Sequence, residues 1–134
     1  MKKIALRFSG LAAVTIAVGG WAIAAGGYDR GALQSEMQDA VKHTRVILGA
    51  LIAADWGKAK AEATALAAQG KTIRALSPQA GAGGPAEFPA NADSLGARAA
   101  RLAITAKAHD GARSAATLGQ IVATCMTCHS LYRK

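Results

Sequence analysis

Apolar residues recur at three- and four-residue steps along most of this chain, the spacing that lines one face of an α-helix. From Asp29 or Arg30 to about Ala54 the stripe is Leu33, Met37, Ala40, Val41, Thr44, Leu48, Leu51 and Ile52. It predicts a first helix with one side turned to a core. Asp55 fits an N-cap for a second helix over Trp56 to Ala68, and Gly70 predicts its end. Between Lys71 and Ala92 the periodicity lapses into Ser77-Pro78, Gly81-Ala82-Gly83-Gly84-Pro85 and Phe88-Pro89, which predicts a long loop. Asn91 or Asp93 can cap a third helix reaching about His109. Asp110-Gly111 then makes a tight turn before a fourth helix that ends near Tyr132. Alanine dominates and β-branched runs are scarce. Short, long, short connections between four helices describe an all-α, antiparallel four-helix bundle over residues 25–134.

The first residues follow a different pattern. Met1-Lys2-Lys3 and Arg7 form a basic start, Leu11 to Val18 is a short apolar run, and Ala22-Ile23-Ala24 is a small-x-small cleavage signal. That order predicts a secretory signal peptide over residues 1–24 and a folded part exported to the periplasm. The competing reading is an uncleaved anchor: Phe8 to Ala25 spans 18 residues, the lower edge for a membrane helix, and Gly19-Gly20 weakens it. Membrane attachment is expected only in that case.

Charge narrows the field of partners. Removing Lys2, Lys3 and Arg7 takes the formal +8 down to +5. The remaining Lys and Arg are scattered singly among few aromatics, so nucleic-acid binding finds no support. A mildly positive surface suits transient docking of an acidic protein. There is no Ser/His/Asp set, no paired carboxylates on one helix face and no phosphate-binding loop, and no enzyme is expected.

One motif carries specific chemistry. Cys125-Met126-Thr127-Cys128-His129 is a C-x-x-C-H string, the attachment pattern of one covalent haem c. Its spacing lets two thiols reach the two vinyl groups of a porphyrin while the next residue offers an imidazole to the iron. It uses both cysteines of the chain. A thioredoxin-type pair would follow a strand, and none is predicted. A zinc site would need further ligands, and His43 and His109 do not stand at zinc spacing. A lone disulfide is the remaining alternative.

On the fourth helix, Leu118, Ile121, Val122, Cys125, Cys128, His129 and Tyr132 share one stripe, which places the motif on the core side and predicts a porphyrin buried in the bundle. His129 is the candidate proximal iron ligand. A distal ligand has to come from another helix. Met126 lies on the proximal helix and cannot reach around, which leaves Met37 in the first helix as candidate distal ligand, against the plainer reading of a flexible core filler. His43 is its rival, but six residues on amounts to roughly 120° around the helix, so both cannot face one iron. His109 closes the third helix, where a cation suits the helix dipole, and Trp56 reads as a packing residue at a helix corner.

A haem motif at the C-terminal end of a four-helix chain, continued as His129-Ser130-Leu131-Tyr132-Arg133-Lys134, resembles the cytochrome c′ family, the class II cytochromes c. The resemblance implies thioethers through Cys125 and Cys128, proximal ligation by His129 and a basic residue, here Arg133, close to the haem. It also implies a tendency to dimerise through the first two helices. Members of that family with a bulky apolar residue on the first helix are five-coordinate and bind small gases such as NO and CO. Low-spin members place a Met there and carry single electrons. Met37 is similar in position to the second group, which makes a His/Met-ligated electron carrier the expectation and a gas-binding protein the alternative.

Overall fold

The computed structural model describes residues 29–77 and 87–132. The segment read as a signal peptide (1–24), residues 78–86 of the glycine-rich stretch, and Arg133 lie outside them. Among the described residues there are four helices and no strand: α1 (Arg30–Ile52), α2 (Trp56–Ala75), α3 (Phe88–Lys107) and α4 (Gly111–Tyr132). α2 packs on α3 along the middle, α1 lies on α2, α4 lies on α3, and the α1–α4 seam is the sparsest contact. The diagonal pairs make no close backbone approach, which is the square section of an antiparallel bundle. No described helix is long and apolar enough to cross a membrane.

The helix starts are local chemistry. Asp29 accepts from the Ala32 amide at 2.9 Å, Asp55 from Lys58 at 3.0 Å and Asp110 from Arg113 at 3.0 Å. Each satisfies a donor that the first turn leaves without a helical partner. The α1–α2 and α3–α4 turns have the same construction. Ala54 and His109 adopt left-handed φ values of 53° and 55°, and the next residue donates back across the helix end, Asp55 to Ala50 at 2.8 Å and Asp110 to Thr105 at 3.0 Å. The two turns lie side by side, and Trp56 stacks on His109 with ring centroids 5.6 Å apart and planes 17° from parallel. Trp56 is thus the corner packing residue expected, with His109 as its counterpart.

Three expectations shift. First, α2 does not stop at Gly70 but runs on to Ala75, because Gly70 serves a close helix crossing instead. A Cβ there would lie 2.8 Å from the Gly96 Cα, so the absence of a side chain lets α2 and α3 approach. Second, α3 begins at Phe88, with Pro89 in its first turn, where proline's fixed φ and missing N–H cost nothing. Neither Asn91 nor Asp93 caps it; Asp93 instead accepts from Arg74 Nε at 2.9 Å across to α2. The 71–92 loop is therefore helical at both ends.

Third, α1 is rolled relative to the expected stripe. Its buried residues are Leu33, Ala40, Ile47 and Ala50, whereas Val41, Leu48 and Ile52 are exposed, Ile52 to 79%. A helix at a corner of a square touches two neighbours, and only the α2 side of α1 is closed by packing. Burying Ile47 completely contributes about 1.5–3 kcal/mol to that choice. The other side, with Met37 and Val41, faces the open seam. The core proper is Ile47, Leu66, Ile73, Leu102 and Ile121 set among small alanines, which keeps the helices close.

Candidate functional site

The C-x-x-C-H motif occupies the last turns of α4. Leu118 and Ile121 anchor that helix in the core, two turns and one turn earlier respectively. Continuing the same face, Cys125 is half-buried and Cys128 buried, while His129 is exposed. Both thiols are free. Burial raises the Cys125 thiol above its ordinary value and pushes Cys128 up to about 11, with the neighbouring Cys125 adding to the latter. Near neutral pH both therefore remain S–H groups rather than thiolates.

Two spaces adjoin the motif. One is an interior void of about 40 Å³ behind the thiols, lined by Met37, Ala40, Ile73, Leu95 and Thr124 among others. It holds nothing larger than a water or two. The other is a groove of about 680 Å³ in the α1–α4 seam, within the range of pockets that hold cofactors. Cys128 and His129 form its α4 wall. Leu33, Met37 and Val41 form its α1 wall, and Phe88 of α3 contributes at its edge. The space of cofactor size is thus an open cleft at the seam rather than a cavity enclosed in the core, as the periodicity alone suggested. The helix pair that carries the two candidate iron ligands is the pair that packs least, and the fold leaves a slot between them.

Met37 is half-buried, packs against the core cluster and shares the groove with Cys128 and His129 from the opposite wall. His43 does not line it. Its Nδ1 meets Glu62 Oε2 at 2.6 Å on the α2 side of α1, as the angular separation from Met37 requires. Sequence reasoning missed Phe88, read as loop, although an aromatic followed by proline is a helix-start signal. It also missed Gln34, Gln38 and Arg45, which with Arg30 and Lys42 form the polar border of the groove. Their one signal was i, i+4 spacing: Arg45 continues the row of Met37 and Val41, and Gln34 and Gln38 lie with Arg30 and Lys42 on the row beside it.

The donor set fits a covalently held haem. Two reduced thiols one turn apart, an adjacent imidazole and an apolar slot facing a thioether are the parts such a group needs. Among the described residues no cluster of three or more His, Cys, Asp or Glu gathers as a multi-ligand metal site would require. The fold and the motif together define a helical-bundle protein of the covalent c-type haem class. The family model described as Cytochrome C′ matches residues 28–133, a span that contains every described residue, and the protein belongs to that family. Membership implies covalently bound haem c, a role in electron transfer or gas binding, and the periplasm as the typical compartment of family members. Comparisons with curated proteins and with solved structures return no match.

Proposed function

We propose that the protein is a periplasmic single-electron carrier with one haem c, bound by thioethers to Cys125 and Cys128 and ligated by His129 and Met37. The observation that carries this reading is that Met37 and His129 stand on opposite walls of one groove, with Cys128 beside His129. The haem supplies the ferrous/ferric couple. The chain supplies everything else. Cys125 and Cys128 tether the ring to α4. His129, exposed and next in sequence, is free to turn an imidazole nitrogen toward it. Leu33, Val41 and Phe88 exclude water along the apolar part of the slot, which helps set the potential. A thioether ligand favours the reduced state and raises the potential further.

Redox partners are proposed to dock transiently at the polar border, where Arg30 and Arg45 stand, Lys42 is paired with Asp39 at 2.6 Å, and no acidic side chain among the described residues lines the groove. Docking of this kind is weak and strongly salt-dependent.

Val41 supports a second reading. It lies one turn from Met37 on the same wall and is an apolar side chain able to cover an open iron, the arrangement of a five-coordinate NO- or CO-binding protein. Absorption and paramagnetic resonance spectra of the haem-loaded protein separate the two. A low-spin spectrum in both oxidation states, converted to high-spin by Met37→Ala, supports His/Met ligation. A high-spin wild type that responds directly to carbon monoxide selects the gas-binding reading, and no retained haem on a denaturing gel defeats both.

A further inference from the structure

We infer that Gln69 and Arg98 are positioning residues that set the width of the haem slot, and through it the reach of Met37 to the iron. The inference rests on the ligation proposed above. It begins from the sparse α1–α4 seam. Of the adjacent helix pairs, α1 and α4 approach each other least, so direct packing across the seam contributes least to the spacing between Met37 and the cysteines. That spacing is transmitted mainly around the bundle, from α1 to α2, to α3 and to α4.

One continuous belt crosses the four helices at the level of the site. On α2, the buried Gln69 donates through Nε2 to the Glu36 carbonyl and to its Oε2, both at 3.0 Å. Glu36 is the residue before Met37. The next residue of α2, Gly70, meets Gly96 of α3 so closely that a Cβ on Gly70 would lie 2.8 Å from the Gly96 backbone. Two positions further along α3, Arg98 donates through Nη1 to the Gln120 carbonyl at 2.8 Å and also to Thr124 Oγ1. Thr124 is the residue before Cys125, and its hydroxyl donates in turn to the Gln120 carbonyl at 2.9 Å.

The belt thus starts one residue from the candidate distal ligand and ends one residue from the first tether. Both outer links grip backbone carbonyls, so each fixes the height and rotation of a helical turn rather than of a single side chain. The Gln69 bonds are partly buried and the Arg98 bond to Gln120 is exposed, but each is directional, unlike the apolar contacts around it. Loosening either link lets its outer helix drift, and a ligand that must span the slot is the first thing to suffer.

Gln69→Leu and Arg98→Leu, each in the haem-loaded protein, test this with carbon monoxide as the probe. Binding of carbon monoxide to ferrous His/Met haem requires Met37 to leave, so its rate reports the detached population. Loss of a hydrogen-bonded link should raise that rate roughly two- to tenfold in both variants. Arg98→Lys, which keeps a donor to the Gln120 carbonyl, should stay near wild type. Thr105→Val is the control. It removes the bond from Ser114 to Thr105 Oγ1, 2.9 Å long, at the opposite end of the same helix pair. It should lower thermal stability without changing the rate.

If both leucine variants melt earlier but bind carbon monoxide at the wild-type rate, the links are merely structural and the inference fails while Met37 ligation stands. A change in one variant alone also overturns the belt. A wild type that is high-spin, and indifferent to Met37→Ala, removes the ligation and this inference together.

Discussion

Gly70→Ala gives a stringent test of the packing described here, because its expected effect has the opposite sign to the usual one. In an exposed helix interior, replacing glycine by alanine stabilises by roughly 0.5–1 kcal/mol. At Gly70 the added Cβ would sit 2.8 Å from both Cα and N of Gly96 and 3.2 Å from the Ala92 carbonyl oxygen. Carbon atoms prefer separations of about 3.5–4.0 Å, so α2 and α3 would have to part by close to 1 Å at this crossing. The obstacles are backbone atoms, which no rotamer change can move. Overpacking of this kind costs about 1–3 kcal/mol, leaving a net loss centred on roughly 1 kcal/mol after the propensity gain. For a domain of this size that is a fall in melting temperature of roughly 4–8 °C. Gly96→Ala is the paired measurement. Its Cβ would meet the Ala67 carbonyl oxygen at 3.4 Å and the Gly70 Cα at 3.8 Å, ordinary contacts, so it should be near neutral. Urea titration of both variants reads the difference. Equal losses from the two, or a Gly70→Ala protein as stable as wild type, would refute the crossing geometry.

Three further outcomes follow from local geometry. Gly49→Ala and Gly119→Ala place a Cβ with nothing within 4 Å, so each should stabilise by about 0.5–1 kcal/mol in the same titration. Ala54→Gly should stabilise by about 0.5–1 kcal/mol because it removes a left-handed φ from a residue with a Cβ. His109→Gly relieves the same strain but loses the Trp56 stack, and should gain less or nothing by thermal melting. In haem-free protein the two thiols should react with iodoacetamide more slowly than free cysteine at pH 8. Reactivity should rise as pH climbs toward 11, because burial holds the protons on.

Much of this architecture is legible in the sequence, and the gaps have physical reasons. Asp29, Asp55 and Asp110 are cap residues whose chemistry is local, so a string of letters suffices to place three helix starts. The end of α2 is not local. Gly70 looks like a stop signal until Gly96, twenty-six positions away, is known to lie against it. Phe88-Pro89 was absorbed into a glycine-rich stretch because loop composition outweighed a two-residue helix start. The roll of α1 is a third kind of difficulty. Its apolar residues serve two faces, Ala40 and Ile47 toward the core and Leu33, Met37 and Val41 toward the seam groove, and periodicity merges them into one broad stripe. The motif itself was readable because covalent chemistry fixes residue type and spacing together.

That same distinction explains why the tether and the distal wall differ in kind. Cys125, Cys128 and His129 are bound to one helix, and their mutual geometry survives any rearrangement of the bundle. Met37 has no such bond to them. Its position relative to His129 is a property of four helices in series, held by Gln69 on one side and Arg98 on the other with the glycine crossing between. A bundle with a fully packed core would have left no slot at this seam, and one without transverse links would have left a slot of indefinite width. Leaving α1 and α4 sparsely packed while fixing their spacing through their neighbours provides both the opening and its dimension. Substitutions far from the groove, at the α2–α3 crossing above all, are therefore expected to alter the iron's distal coordination without touching a groove residue. Gly70→Ala is the sharpest case. Its spectrum should shift toward high-spin along with its stability, and a destabilised Gly70→Ala protein with a wild-type spectrum would contradict the argument.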